Sequence, residues 1–219
     1  MARPPGHGPS YEVKRQEIID LAAQLFAKKG YAATGIVEIG ETVGLAKGAL
    51  YYYIRSKENL LVEIQERVLD PLVYNANRIS EIDTAPAVKL RLLSHALLDM
   101  IFRRLDHIWV YEHDYKHLTG ENLSHMLKRR HEFENIVRGM LVAAMAEGTF
   151  VESDPVLAML QFLNMHNHTY QWLKPEQKWD AGFLSKTYCR TLFTGFAGGE
   201  FDFETLETEV ARIQAMAEK

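Results

Sequence analysis

Residues 34–60 read Thr34-Gly-Ile-Val-Glu-Ile-Gly-Glu-Thr-Val-Gly-Leu-Ala-Lys-Gly-Ala-Leu-Tyr-Tyr-Tyr-Ile-Arg-Ser-Lys-Glu-Asn-Leu60. The apolar spacing predicts a short helix over 36–42, a turn at Val43-Gly44-Leu45, and a second short helix over 47–53. Helices this short are marginal in water. They must therefore hold each other through Ile36, Ile39, Val43, Leu45 and Leu50. Two short helices meeting at a glycine turn form a helix-turn-helix. Ser56 follows as the N-cap of a longer helix, with Glu58 in its favourable first turn.

Upstream, a helix from Tyr11 to Lys29 carries one apolar stripe of Ile18, Ile19, Ala22, Leu25 and Phe26, and Gly30 stands where a C-terminal cap belongs. Residues 1–10 hold three of the seven prolines among polar residues and read as a flexible arm. Downstream, the helix after Ser56 runs towards Ile79, and Pro71 is expected to kink or break it. Further helices are expected at about 86–106, 107–118, 120–147, 155–173 and 180–197. Strand-like alternation is missing, so the fold class is all-α. The organisation expected is an arm (1–10), a three-helix head (11–55), a larger helical body (56–200) and a helical tail (201–219).

Composition narrows the function. The chain of 219 residues carries a net charge of −4, which argues against a general nucleic-acid binder. Its distribution is uneven, since residues 1–60 contain eight Lys or Arg against six Asp or Glu, and the rest is acidic. A lone cysteine, Cys189, excludes an internal disulfide. The start lacks a secretory apolar stretch, and no apolar run nears the ~18 residues of a membrane span. A cytoplasmic protein without membrane contact is expected. On that ground the glycosylation patterns at Asn122 and Asn167 are chance matches.

An enzyme reading would start from the nine histidines. His113 and His117 are four apart with Glu112 and Asp114 nearby, whereas His166 and His168, two apart, point to different helix faces. No HExxH pattern occurs, Cys189 has no nucleophile signature, and Gly195-Phe-Ala-Gly-Gly199 reads as a helix end. No catalytic residue, metal or cofactor is expected.

Phe26, Gly30, Thr34, Ile39, Gly44, Lys47-Gly48, Leu50-Tyr51-Tyr52 and Ser56-Lys57-Glu58 stand in the register of the TetR family of repressors, which residues 14–61 resemble. The resemblance implies a homodimer on double-stranded operator DNA, released by a small-molecule effector. Thr34 is expected to cap the first short helix against a phosphate. Lys47 to Tyr52 become the recognition helix, where Gly48 and Ala49 allow close approach to the major groove. Tyr51, Tyr52 and Tyr53 offer hydroxyls, Lys57 adds charge against the backbone, and Arg3 of the arm is a candidate for the minor groove. The chain departs from the family at Ala46 and Ala49, where hydroxyl residues are usual. It departs again at Gly40, usually Ala, which is expected to loosen the first short helix.

In the body, large adaptable side chains suit an apolar pocket. Met100, Trp109, Tyr111, Tyr115, Phe133, Met165, Tyr170 and Trp172 are the effector candidates. Trp109-Val-Tyr-Glu, Leu127-Lys-Arg-Arg-His and Tyr170-Gln-Trp-Leu-Lys-Pro175 are similar to family members that regulate fatty-acid or sterol breakdown and sense acyl-CoA thioesters. That likeness implies CoA-phosphate contacts from Arg103, Arg104, Arg129 or Arg130. The family's dimer forms through its last two long helices, which places Leu157, Leu160, Leu163, Leu184, Tyr188 and Leu192 at the interface.

Overall fold

The computed structural model describes residues 8–174, 176 and 178–217, and every regular element among them is helical. The helices are α1 (Pro9–Lys29), α2 (Ile36–Thr42), α3 (Lys47–Tyr53), α4 (Lys57–Ser80), α5 (Pro86–Arg103), α6 (Leu105–Asp114), α7 (Gly120–Ala146), α8 (Pro155–Asn167), α9 (Thr169–Trp172), α10 (Ala181–Phe196) and α11 (Phe203–Ala217). A 3-10 turn, Tyr115–His117, separates α6 from α7. Arg3 lies outside the described residues.

Two expectations need correction. Helix α4 runs without interruption through Pro71, which corrects the expected break. The proline deletes one donor inside the helix, while Leu69, Leu72 and Val73 are buried around it and hold the segment by packing. The helix expected over 155–173 is split at His168 into α8 and α9.

The chain forms two compact units. One contains the residues up to Val68 together with Arg104–Leu127. Here α1 packs against α2, α3 and α6, and Ile18, Ile19, Ala22, Phe26, Ile39, Leu50, Leu60 and Ile64 are completely buried. Helix α6, which the sequence placed in the body, packs along α1, with Ile108 and Val110 buried. Gly44, at φ +70°, makes the turn between α2 and α3. At Gly40 a Cβ would stand 2.8 Å from the Leu45 carbonyl oxygen, and the Leu45 N–H donates to the Gly40 carbonyl at 2.8 Å. The glycine lets the turn close against α2, which corrects the expectation that it loosens that helix.

The second unit comprises Leu69–Arg103 and the residues from Lys128 onwards. Helix α5 is its centre, packed by α8, α9, α10 and α11. Its core also holds polar groups. Arg91 of α5, only 3 % exposed, donates to both carboxylate oxygens of Glu207 in α11, at 2.6 and 3.2 Å, and to Ser185 Oγ at 3.0 Å. Buried Ser94 and His166 meet at 2.6 Å, and His166 Nδ1 lies 2.7 Å from the Phe162 carbonyl oxygen. If the Nδ1–H donates to that carbonyl, Nε2 is left to accept the Ser94 hydroxyl. Cys189 is fully buried beside Ser94, and burial pushes its thiol up to about 12. No helix among the described residues is long and apolar enough to cross a membrane, and no group of three or more His, Cys, Asp or Glu among them is placed to hold a metal.

Candidate DNA interface and effector body

Helix α3 buries one residue fully, Leu50, and leaves all of the others but Tyr53 exposed. Lys47, Gly48 and Ala49 are exposed at its start, followed by Tyr51 and Tyr52, 43 % and 60 % exposed. Ala46 is the N-cap and supplies no side-chain hydrogen bond, as expected from a residue without a hydroxyl. Tyr53 faces the protein instead, stacked on Tyr11 of α1 at 5.0 Å between ring centroids. Tyr11 also meets Tyr52 edge-on at 5.3 Å, and its hydroxyl donates to the Tyr52 carbonyl at 3.3 Å. The three rings brace the end of α3 against the start of α1.

Thr34 does not cap α2. Its side chain is buried and its hydroxyl donates to the Gly30 carbonyl at 2.9 Å, while Gly35 takes the N-cap position without a side-chain bond. The hydroxyl thus satisfies a carbonyl at the end of α1, where helices leave acceptors open. Ser56 caps α4 as expected, accepting the Asn59 N–H at 3.0 Å. Lys57 is placed at the start of α4 with its ammonium over the Tyr31 ring, 4.1 Å from the centroid. Burial lowers its pKa, and the Asp114 charge acts in the opposite direction.

The effector candidates are divided between the two units. Arg104, Trp109, Tyr111 and Tyr115 fall with the helix-turn-helix, and Trp109 stacks on His113 at 4.1 Å. Met100, Arg103, Arg129, Arg130, Phe133, Met165, Tyr170 and Trp172 fall in the second unit. Phe133 and Tyr170 are buried, Met100, Arg130 and Met165 are half-buried, and Trp172 is exposed. Arg103 pairs with Asp99 at 2.8 Å, and Arg129 with Asp70 at 2.9 Å and Glu132 at 2.7 Å. Both guanidinium groups would have to leave carboxylates to meet a phosphate. Met165 lines a groove of about 440 Å³ with Gln161, Thr191, Leu192, Gly195 and Phe196.

The expected dimer residues all fall in the second unit and divide by burial. Leu163, Leu184 and Leu192 are buried in their own unit, and Tyr188 lies 2.9 Å from the Thr169 hydroxyl. Leu157 and Leu160 face outward on α8, joined there by Val156 and on α10 by Phe183. Val156 is an exposed apolar residue on α8 that the sequence reading did not single out. Its one-position offset from Leu157 and four-position offset from Leu160 was the available signal.

An exposed second helix on a glycine turn, in a chain that also carries a second helical unit, is the layout of a helix-turn-helix regulator. Residues 18–64 match the family described as bacterial regulatory proteins, tetR family, and residues 83–196 match the tetracyclin repressor-like C-terminal domain. The chain belongs to the tetR family. It is 27 % identical over 190 residues to the HTH-type transcriptional repressor KstR2 of Rhodococcus jostii, covering 84 % of this chain and 91 % of that one. The crystal structure of the TetR family regulator PfmR from Thermus thermophilus superposes with a TM-score of 0.75 at 29 % identity, covering 80 % of this chain and 96 % of PfmR. AibR, solved with isovaleryl coenzyme A and operator DNA, shares the fold, with a TM-score of 0.72 at 23 % identity over 84 % of this chain and 98 % of AibR.

Proposed function

We propose that this regulator is a homodimeric cytoplasmic repressor that grips operator DNA through α3 and releases it when a hydrophobic or acyl-CoA-type effector binds. The observation that carries the reading is the outward face of α3, where Lys47, Gly48, Ala49, Tyr51 and Tyr52 are exposed while Leu50 anchors the helix. The small residues at 48 and 49 let the backbone approach a groove wall, and Lys47 and the tyrosines reach phosphates or base edges. Lys57 adds a phosphate contact at the start of α4. The repressor assignment follows the KstR2 relative, and the effector class follows the isovaleryl coenzyme A of AibR.

The apolar patch of Val156, Leu157, Leu160 and Phe183 supports a two-fold interface that pairs two heads. Recognition helices must then sit about 34 Å apart, one turn of DNA. The effector changes that spacing through α4, whose residues belong to both units. Binding to a duplex from in vitro selection, measured across salt concentrations, tests the grip. Lys47→Gln is expected to weaken binding and flatten its salt dependence by about 0.9 per lost phosphate contact. Unchanged binding in Lys47→Gln and Tyr51→Phe together would sink the proposal. An acyl-CoA panel added to the same assay tests release.

A further inference from the structure

The last residue of α6 and the stretch after it contact Tyr31 and the first turn of α4. Tyr31, under the Lys57 ammonium, donates its backbone N–H to Asp114 Oδ2 at 3.3 Å. His117 stacks on the same ring, with centroids 5.1 Å apart and planes at 28°. Next to Lys57, Glu58 accepts from the Thr119 hydroxyl at 3.3 Å and from Asn122 Nδ2 at 3.2 Å. Residues 114–122 therefore hold both the first turn of α4 and the platform beneath its first lysine.

Without such a hold Lys57 would sweep a wide arc, because a lysine stem carries many rotamers and fixing it is entropically unfavourable. The ring face removes part of that freedom by attracting the ammonium through its quadrupole. Asp114 is 6 % exposed, so its oxygens need donors, and the Tyr31 N–H supplies one. The family model of the amino-terminal domain ends at residue 64, well before Asp114. We infer that Tyr31 and Asp114 are positioning residues for DNA binding: Asp114 fixes the Tyr31 backbone, and the Tyr31 ring fixes the Lys57 ammonium where it meets a phosphate. The inference rests on the DNA-binding reading above.

Burial draws the Lys57 pKa down, and the Asp114 charge offsets part of that loss. Burial raises the Asp114 carboxyl, opposed by the Tyr31 N–H and by His117, His113 and Lys116.

The test is the salt slope of binding to the selected duplex, which counts phosphate contacts at about 0.9 each. Tyr31→Ala and Asp114→Ala are each expected to reduce the slope by about one contact per protomer, as Lys57→Gln does. Tyr31→Phe keeps the ring and Asp114→Asn keeps the acceptor, so both should retain the wild-type slope. A variant that is merely less stable lowers the active fraction and leaves the slope alone. Should Tyr31→Ala and Asp114→Ala keep the full slope while Lys57→Gln loses a contact, the inference is overturned. If Lys57→Gln itself keeps the slope, Lys57 meets no phosphate and the inference falls with that contact. Failure of the wild-type protein to select any duplex would remove the DNA-binding reading and the inference with it.

Discussion

Gly40 and Thr34 each take their role from a nearby backbone carbonyl, Leu45 for the first and Gly30 for the second. Propensity alone ranks Ala above Gly in a helix by about 1 kcal/mol, but here a methyl would be pressed within 2.8 Å of a backbone oxygen. The clash outweighs the propensity gain. Gly40→Ala is expected to lower stability by about 1–3 kcal/mol, in the range of overpacked cores, as read by urea unfolding. Thr34→Val should lower it by about 1 kcal/mol, the net value of a typical buried hydrogen bond, and should leave the salt slope of DNA binding unchanged. A slope reduced in Thr34→Val would restore the phosphate role that burial of its hydroxyl argues against. Both residues were legible as parts of the first short helix and its entry. What they touch was not, because the approach of Leu45 and the fate of the Gly30 carbonyl depend on how two helices meet.

Among the elements, α2 and α3 were readable because their signals are local. The apolar spacing, Gly44 and the Ser56 cap all lie within a few residues of the structure they specify. The pairing of α5 with α11 was not readable. Arg91 and Glu207 are 116 residues apart, and nothing in either segment announces the other. Their buried bridge makes unequal predictions for its two ends. Glu207→Ala leaves a guanidinium stranded in the core, and stability should fall towards the lower end of the ~3–5 kcal/mol seen for broken buried pairs, since Glu207 is 27 % exposed. Arg91→Met should be milder, because it removes the buried charge, and Glu207 keeps Lys186 at 3.5 Å. Thermal unfolding of both variants checks the order. A larger loss in Arg91→Met would mean that the arginine contributes mainly by packing.

For the whole molecule, acid stability follows from its buried histidines. Burial lowers His166 from 6.5 to about 4, with the Phe162 carbonyl opposing the shift and Arg91 adding to it. His107 of α6 is likewise lowered to about 4, first by burial, with Asp20 pulling it back. Below pH 6.5 the unfolded chain takes protons that the folded chain refuses, so stability falls as pH falls and levels off near 4. For His166 the loss across that window is about 3 kcal/mol, at 1.36 kcal/mol per pKa unit. His166→Asn should flatten the pH dependence of urea unfolding between those limits. An equally steep profile in that variant would assign the acid sensitivity to other groups. At this scale the sequence showed an all-α chain with a head and a body. It left open which apolar residues face outward, because Leu157 and Leu163 have the same chemistry and differ only in which face of α8 they occupy.

Burial of Cys189 has a practical consequence for watching the molecule move. Its thiol is closed off from solvent and held protonated at neutral pH, and thiol reagents attack only accessible thiolates. A cysteine introduced at exposed Ala49 on α3 would then be the single site to accept a spin label or dye. In a dimer two such labels report the separation of the recognition helices, so an effector's influence on it becomes a distance read in solution from an otherwise unaltered protein.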